Sequence, residues 1–252
     1  MKKIVIHIFR FFGLYSFAIN MENKIITLFS KSERRAFYRQ FIKSGDLCFD
    51  VGANIGNRTV IFLELGAKVI AIEPQKKCYE KLIKRFGNKI ELVKKGLGEK
   101  ESVEKLYVSE LSAISSFSKE HIDVMKEDRF KGTNWNSSVD IEMTTLDALL
   151  DKYGTPVFCK IDVEGYEYDV LKGLSKPLKT LSLEYIVPEN LQVLTNCINH
   201  LNKLGNIECN YSFAEKMNLS LSTWISGKEM LNYIQTKEFI DTSWGDIYVR
   251  FV

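Results

Sequence analysis

An aspartate followed by a glycine-rich turn is the first group of residues in this sequence whose types and spacing could bind a ligand. In the stretch FDVGANIGNRT, Asp50 comes before Gly52, Asn54 and Gly56, and Glu73 ends the next apolar run. Glycine loses more backbone entropy on folding than any other residue, so this spacing indicates a tight turn or a ligand held against the main chain. A carboxylate such as that of Glu73 can accept hydrogen bonds from both hydroxyls of a ribose.

The ligand that this pattern favours is a positively charged nucleoside without phosphate. A dinucleotide site of the G-x-G-x-x-G type needs a glycine at the middle position, where the backbone meets the pyrophosphate, and Asn54 stands there instead. The carboxylate of Asp50 would repel a pyrophosphate and attract a cation. S-adenosylmethionine (SAM) has a cationic ammonium, a ribose and no phosphate, so it is the predicted ligand. A purely structural turn is the alternative.

The glycine turn lies between a predicted strand and a predicted helix, and this alternation continues along the chain. The predicted strands are residues 47–51, 67–74, 89–96, 156–165 and 181–187, and the predicted helices are 57–66, 75–87, 144–154, 166–174 and 189–204. This order predicts an α/β fold with a mostly parallel sheet, right-handed crossovers and helices on both faces. Two late apolar runs, NIECNYSFA and GDIYVRFV, predict an antiparallel pair at one sheet edge.

Residues 109–140 interrupt the alternation with polar sequence that contains Phe117, His121, Phe130 and Trp135. Long irregular segments in compact domains are often binding loops, so this insert is a predicted substrate loop. His121 is a candidate base, with a solvated loop histidine as the favoured alternative. The three aromatic residues either stack on a sugar ring or form a small core within the insert.

Composition limits the class of protein. The chain has 252 residues, 45% of them apolar and 27% charged, which is typical of a soluble globular domain. A net charge of +3 does not indicate a nucleic-acid-binding protein, and the small local patches at Lys76-Lys77 and Lys94-Lys95 are interpreted as solvated surface. Five cysteines without a C-x-x-C pair predict a reduced, cytoplasmic protein with no disulfide framework and no zinc cluster.

The first residues, MKKIVIHIFRFFGLYSFAIN, are rich in apolar side chains and begin with two lysines after Met1. No uninterrupted apolar run approaches the ~20 residues that a membrane-spanning helix needs. We predict that residues 1–45 form a helical segment packed on a domain that spans 46–252. A signal peptide is one alternative, and a membrane-surface helix that gives peripheral membrane contact is another.

Several motifs together resemble the FkbM family of methyltransferases over about residues 46–187: FDVGANIGNRT, AIEP, VKKGLGE, TTLDALL, CKIDVEGYEYDVLKG and LSLEY. The resemblance implies a class I, SAM-dependent enzyme with a Rossmann-like, seven-stranded sheet whose last strand is antiparallel. It also implies O-methylation of a hydroxyl on a sugar, glycan or natural product, with a small molecule, a saccharide or a lipid-linked glycan as acceptor. An N-methyltransferase of an amine or protein side chain and a non-catalytic SAM-binding protein are the alternatives.

The resemblance also assigns roles in cofactor binding, position by position. The acid and glycine turn would cradle the methionine part of SAM, Glu73 would hold the ribose hydroxyls, and the main chain after the third strand would lie against the adenine. The predicted cofactor-binding residues are Asp50, Gly52, Asn54, Gly56, Glu73, Lys95 and Gly96.

The motif KIDVEG supplies the predicted catalytic residues. Methyl transfer to a hydroxyl requires an acceptor oxygen held in line with the sulfonium and a group that removes its proton. Asp162 is the first candidate and Glu164 the second, since alternation would place both on the same side as Lys160 and burial would raise a carboxylate's pKa. Alternatively, Asp162 caps the next helix and Glu164 pairs with Lys160.

A divalent metal is a further, less favoured possibility for this site. Glu184 ends the predicted strand LSLEY and could join Asp162 as an oxygen ligand, or it could simply support the core. Because no tight ligand cluster is evident, no metal ligands are predicted.

Overall fold

Eight strands form one sheet, and its central strands are almost entirely apolar. In this computed structural model, which describes residues 31–127 and 129–252, the strands of the main sheet are β1 Leu47–Val51, β2 Lys68–Ile72, β3 Ile90–Val93, β7 Phe158–Ile161, β8 Thr180–Ile186, β9 Ile207–Phe213, β10 Ile225–Ser226 and β11 Trp244–Phe251. They lie in the order β10-β9-β11-β8-β7-β1-β2-β3. The ladders from β3 to β8 are parallel, and β11 runs antiparallel to both of its neighbours. The central strands can be largely apolar because both faces of the sheet are covered, and their few charged residues include Asp50, Lys160 and Glu184.

A smaller sheet stands beside the main one. It consists of β4 Gly96–Leu97, β5 Val103–Val108 and β6 Ser137–Thr144, in the order β4-β6-β5. β5 and β6 pair antiparallel, so the chain between them is an excursion that leaves and returns at neighbouring positions.

The helices of the described residues are α1 Lys31–Tyr38, α2 Thr59–Glu64, α3 Lys76–Phe86, α4 Lys119–Glu127, α5 Leu146–Tyr153, α6 Glu167–Lys172, α7 Leu191–Leu204, α8 Gly227–Tyr233 and α9 Lys237–Ile240, with short 3-10 turns at 87–89 and 112–114. Local sequence accounts for their limits. The hydroxyl of Thr145 accepts a hydrogen bond from the backbone N–H of Ala148 and caps α5. A capping box of Ser226 and Glu229 begins α8.

The predicted α/β fold, with its mostly parallel sheet and antiparallel last strand, is confirmed, and three details differ. The sheet has eight strands rather than seven because the two-residue β10 extends its edge beyond β9. The late strands do pair antiparallel, but β11 lies between β8 and β9 instead of at the edge. The insert is not irregular throughout, because it contains α4, whose buried residues His121, Ile122 and Met125 follow helical spacing.

The chain from α1 to Ile42 covers one face of the sheet with aromatic side chains. Phe37 and Tyr38 are buried, and their rings lie 5.2 Å from Tyr248 and 5.5 Å from Phe158, respectively, measured between centroids. Such edge-to-face contacts add to the stabilisation that burial of the rings gives. This segment therefore supplies part of the core on that face.

The predictions for residues 1–30 fall outside the described residues. Within residues 31–127 and 129–252, none of the helices combines the length and the apolar character that crossing a bilayer requires.

Replacing Phe37 by alanine tests whether α1 belongs to the core. Because Phe37 is buried between α1 and the sheet, we expect Phe37→Ala to lower the free energy of unfolding by ~3–5 kcal/mol, measured by urea denaturation. The matched control is Ile83→Ala, since Ile83 is 45% exposed on α3 and its loss should cost under about 1 kcal/mol. A Phe37→Ala protein as stable as the control would contradict the role of α1 in the core.

Candidate active site

The glycine turn after β1 has the left-handed backbone that its sequence requires. Gly52, Asn54 and Gly56 all have positive φ, at 77°, 48° and 83°. Glycine adopts this region without steric cost, and asparagine enters it more readily than most other residues. The backbone N–H groups of Gly52 and Ala53 both donate to the carbonyl of Ile72, each at 3.0 Å, which fastens the turn to the end of β2.

Gly52 is required by a second contact as well. A Cβ atom at Gly52 would overlap the backbone carbonyl of Asp162, at the end of β7. The N–H of Asp162 donates to the carbonyl of Val51 at 3.0 Å, so the two strand ends are joined by main-chain contacts alone. Only glycine fits here, and the contact brings the predicted cofactor turn directly against the predicted catalytic residue.

Glu73 closes the turn from the other side. Its carboxylate accepts hydrogen bonds from the backbone N–H groups of Asn54 and Gln75, both at 2.8 Å. Glu73 is buried, and burial raises its pKa to about 7 although these two hydrogen bonds favour the ionised form. The carboxylate is thus held at the end of β2 with acceptor capacity left over, but its predicted bonds to a ribose remain a prediction.

Asp50 lies beneath the turn and not at the surface of a cleft. One carboxylate oxygen accepts a hydrogen bond from the hydroxyl of Thr59, 2.5 Å away, at the first residue of α2. Burial raises the pKa of Asp50, and the bond from Thr59 opposes this. Thr59 was not among the predicted site residues, and its contact with Asp50 ties β1 to α2.

A cleft opens where β1, β2 and β4 end. Three of the predicted cofactor residues, Gly52, Lys95 and Gly96, line it, whereas Asp50, Asn54, Gly56 and Glu73 are absent from its lining. Residues that the sequence did not assign to cofactor binding complete the wall, namely Val51, Ile72, Pro74, Leu97, Phe117, Val163 and Tyr166. Tyr166 could have been found from its place directly after the KIDVEG motif, but the contribution of Phe117 depends on how the insert folds.

Three carboxylates meet beside this cleft. One oxygen from each of Asp162, Glu164 and Glu184 lies within 4.8 Å of the others. Asp162 follows β7, Glu164 is in the left-handed turn after it, with φ at 54°, and Glu184 is on β8. We call these three residues the acid cluster. Oxygen ligands of this kind suit a hard divalent cation, so the donor set fits such an ion.

The protonation of the acid cluster is set by Lys160. Its ammonium lies 2.7 Å from the carboxylate of Asp162 and is itself almost fully buried. Burial opposes ionisation of Asp162, but Lys160 outweighs it and holds the pKa of Asp162 below its usual value, opposite to the direction that the sequence suggested. Burial, followed by the negative charge of Asp162, raises the pKa values of Glu164 and Glu184 well above their usual range. Asp162 therefore differs from its two neighbours in the cluster, since its pKa is lowered while theirs are raised.

The structural alternatives for Asp162 and Glu164 are both wrong. It is Asp162, not Glu164, that pairs with Lys160. The turn before α6 is held instead by Glu167, whose carboxylate accepts from the backbone N–H groups of Val163 and Gly165 at 3.0 and 3.3 Å. Neither Asp162 nor Glu164 therefore caps α6.

A second, small cavity lies between β8 and α7. Glu184 and Glu167 form part of its wall, together with Asn190 and the apolar side chains of Val193 and Leu194. No lysine, arginine or histidine lines this cavity in the described part of the chain. Glu184 thus belongs both to the acid cluster and to the wall of this cavity.

The insert spans the ends of the strands that carry these groups. The hydroxyl of Ser116 donates to the backbone carbonyl of Glu164 at 2.6 Å, and the ring of Phe117 lies 5.4 Å from that of Tyr166. The side chain of Gln75 donates to the carbonyl of Ser112 at 3.0 Å. These contacts attach the insert to both the cofactor cleft and the turn that bears Glu164.

His121 is buried, which corrects the expectation of a solvated loop histidine. The amide of Asn190 donates to its Nδ1 at 2.7 Å, and its ring lies against Gly165, where no side chain could fit. Burial lowers the pKa of His121, so its ring is neutral at physiological pH. Trp135, by contrast, stays within the insert, where its indole N–H donates to the carbonyl of Ile114 at 2.8 Å.

The sequence matches the family described as the Methyltransferase FkbM domain over residues 50–213, which include the glycine turn, the insert and the acid cluster. The chain belongs to this family. It is a SAM-dependent methyltransferase, and the cleft beside the glycine turn is placed where such an α/β sheet binds its ligand, at the carboxyl ends of the strands. No curated protein matches the sequence of this FkbM-family methyltransferase.

Three similar solved structures are distant in sequence from this methyltransferase. A precorrin-6y C5,15-methyltransferase from Geobacter metallireducens is 12% identical with a TM-score of 0.42, covering 89% of this chain and 88% of its own. An rRNA methylase from Streptococcus thermophilus is 12% identical with a TM-score of 0.42, covering 86% and 93%. A TehB-like SAM-dependent methyltransferase from Corynebacterium glutamicum is 9% identical with a TM-score of 0.45, covering 94% and 98%.

Substitution of Gly52 tests the main-chain contact between the two strand ends. We expect Gly52→Ala to lower the free energy of unfolding by more than ~3 kcal/mol and to abolish SAM binding, because the new methyl group overlaps the carbonyl of Asp162. The control is Gly45→Ala, since Gly45 also has positive φ, at 89°, but has open space around it. It should lose only the ~1 kcal/mol that a positive φ costs. Urea denaturation and calorimetric titration with SAM measure both effects, and equal losses in the two variants would contradict the close contact.

Proposed function

We propose that this methyltransferase transfers the methyl group of SAM to a hydroxyl oxygen, and that this hydroxyl belongs to a saccharide or a lipid-linked glycan. The observation that carries the proposal is the acid cluster next to the glycine turn: the main chain of Asp162 contacts Gly52, and Glu184 lines a cavity that has no basic side chain among its lining residues. Methyl transfer to a hydroxyl requires a methyl donor, an acceptor oxygen and a proton acceptor close together.

The proposed cofactor site uses the turn and the residues around the cleft. Gly52 lets the methionine part approach the main chain, and Glu73 takes the ribose hydroxyls with the oxygen capacity that Asn54 and Gln75 leave free. The main chain at Lys95 and Gly96 faces the adenine, while Phe117 and Tyr166 cover it. Asp50 acts from beneath the turn, by fixing α2 and by adding negative charge near the sulfonium.

In the proposed reaction, the acceptor oxygen forms a bond to the methyl carbon while the carbon–sulfur bond breaks and its electrons pass to sulfur. The hydroxyl proton moves to Asp162, which is ionised beside Lys160 and partly exposed. A weak base suffices, since the hydroxyl becomes strongly acidic as the new carbon–oxygen bond forms. Glu164 and Glu184, whose pKa values burial raises, hold the acceptor hydroxyl by hydrogen bonds, and the proton taken up by Asp162 is released to solvent through its exposed side.

The surface around the second cavity, which is small in this structure, is the proposed acceptor site, with the insert as the substrate loop. An ionised Glu167 would repel a phosphate or carboxylate there, and no basic side chain among the lining residues would compensate. Asn190 offers hydrogen bonds to hydroxyls, and Val193 and Leu194 offer an apolar surface to the face of a sugar ring. This favours an uncharged acceptor at the point of reaction, and it argues against a nucleic-acid backbone there.

Substitution of Glu73 tests the cofactor assignment and its pH dependence. The ionised carboxylate should bind the ribose, and the pKa of Glu73 is about 7. SAM affinity should therefore be roughly tenfold weaker at pH 6 than on the plateau above pH 8, and it should rise as pH increases through 7. In Glu73→Gln this dependence should vanish and the plateau affinity should fall by about tenfold or more, since hydrogen bonds to a charged group contribute ~1.5–3 kcal/mol each.

Calorimetric titration of both proteins over this pH range gives the affinities. The ratio between wild type and Glu73→Gln removes any titration of SAM itself from the comparison. A ratio that does not change with pH would show that Glu73 does not bind the ribose in its ionised form.

Substitution of the acid cluster tests the proton acceptor. We expect Asp162→Asn to reduce kcat by ~100-fold or more, because general-base catalysis contributes typically ~100- to 10,000-fold, while SAM affinity stays within about threefold. Glu164→Gln should reduce kcat less, since a protonated Glu164 and a glutamine amide can both donate a hydrogen bond. Full activity in Asp162→Asn would contradict the assignment, and loss of wild-type activity on addition of EDTA would assign the cluster to a divalent metal instead.

The acceptor itself is best identified by mass spectrometry of extracts from cells with and without this protein. The proposal predicts a saccharide-containing product that is heavier by one methylene unit and whose methyl group is on oxygen. A methylated amine or protein side chain would replace the O-methyltransferase assignment by N-methylation.

A further inference from the structure

The positive charge of this protein is concentrated in one short region. Residues 76–95 contain eight basic and two acidic residues, so this stretch carries a net charge of +6 although the whole chain carries only +3. The basic residues are Lys76, Lys77, Lys81, Lys84, Arg85, Lys89, Lys94 and Lys95. They belong to α3 and to the segment that follows it through β3 to the cofactor cleft, and we call this surface the basic face.

The basic face is built by helical spacing. The side chains of Cys78, Leu82 and Phe86 are buried, so this side of α3 faces the core. Lys77, Lys81 and Lys84, at spacings of four and three, therefore form a stripe on the opposite, exposed side of the helix. Nothing in the packing of α3 requires lysine at these positions, and three like charges along one stripe repel each other, so the stripe suits an anionic partner.

Two of the largest exposed apolar side chains lie on the flanks of this stripe. Ile83 is on α3 and 45% exposed, and Ile55 is in the glycine turn and 36% exposed. Arg85 links the turn to the helix, since its guanidinium donates to the carbonyl of Ile55 at 2.8 Å. A lysine stripe between exposed isoleucines is the pattern of a surface that meets lipid headgroups and inserts short apolar side chains beneath them.

We propose that the basic face docks this protein on an anionic membrane surface. Seven of its eight cationic residues are lysines, whereas nucleic-acid recognition favours arginine for its planar, bidentate guanidinium. The exposed large apolar residues beside it are isoleucines, which insert into lipid but do not stack on bases. Pro74 and Lys95, at the two ends of the α3 segment, line the cofactor cleft, so docking would hold the cleft close to the lipid surface. This inference does not depend on the chemistry of the acceptor.

The experiment is co-sedimentation of the full chain with vesicles of phosphatidylcholine containing about 30% phosphatidylglycerol, compared with vesicles of phosphatidylcholine alone. Wild type should bind the anionic vesicles preferentially, and binding should weaken as salt is raised from about 50 to about 500 mM. The triple variant Lys77→Glu, Lys81→Glu, Lys84→Glu should bind the anionic vesicles at least ~30-fold more weakly, given the contribution of each basic residue near such a surface.

The matched control carries the same charge change elsewhere. Lys203, Lys228 and Lys237 are exposed on α7, α8 and α9, beside the opposite edge of the sheet. The triple variant with glutamate at these three positions should bind vesicles within about threefold of wild type, because these residues lie more than a Debye length from the docked surface. Both triple variants should bind SAM as wild type does, which shows that they are folded.

A further variant separates the apolar contribution from the electrostatic one. Ile83→Asp should weaken vesicle binding by several-fold more than Ile83→Thr, since only the aspartate puts a charge at the lipid boundary. Equal losses in the two lysine variants would overturn the proposal. Wild-type binding to a random-sequence RNA that is tighter than vesicle binding and is lost in the Lys77, Lys81, Lys84 variant would also overturn it and assign the basic face to nucleic acid.

Discussion

A single buried ammonium group makes the active site of this methyltransferase possible. The side chain of Lys160 is 3% exposed, and its nitrogen lies 2.7 Å from Asp162 and 3.5 Å from Asp246. Burial alone would lower the pKa of this lysine and favour its neutral form. The two carboxylates outweigh burial and keep its pKa well above the usual value. Without Lys160, burial near other acids would raise the pKa of Asp162, as it raises the pKa values of Glu164 and Glu184. Lys160 thus separates the pKa of Asp162 from the raised pKa values of Glu164 and Glu184, and carboxyl groups whose pKa values are separated in this way are typical of acid–base sites.

The second constraint is the direct contact of main chain with main chain between the ends of β1 and β7. Gly52 permits this contact, and it places the cofactor turn against Asp162 without any intervening side chain. The insert then closes the same region from above, through Ser116 and His121. The glycine turn and Asp162 are therefore positioned by the main sheet itself, while the insert is an excursion between β5 and β6.

Much of the fold could be predicted because local sequence decides it. The limits of β1 agree with the prediction at both ends, since glycine bounds the apolar run on each side. The site was harder, because its chemistry depends on groups that are distant in sequence. The pKa of Asp162 was predicted in the wrong direction, as the pairing with Lys160 and the support from Asp246, 86 residues away from that lysine, need the folded sheet. The burial of His121 likewise depends on contacts with Gly165 and Asn190, which are distant in sequence and cannot be predicted from the residues around His121.

The central claim is that the methyl group of SAM faces an acid cluster held in place by the glycine turn. A crystal structure with SAM bound tests this most directly. The account predicts the ribose hydroxyls within hydrogen-bond distance of Glu73, the adenine against Lys95 and Gly96, and the methyl carbon directed toward Asp162, Glu164 and Glu184. SAM bound with its methyl group away from these carboxylates, or a cleft that stays empty with SAM but fills with NADH, would contradict it.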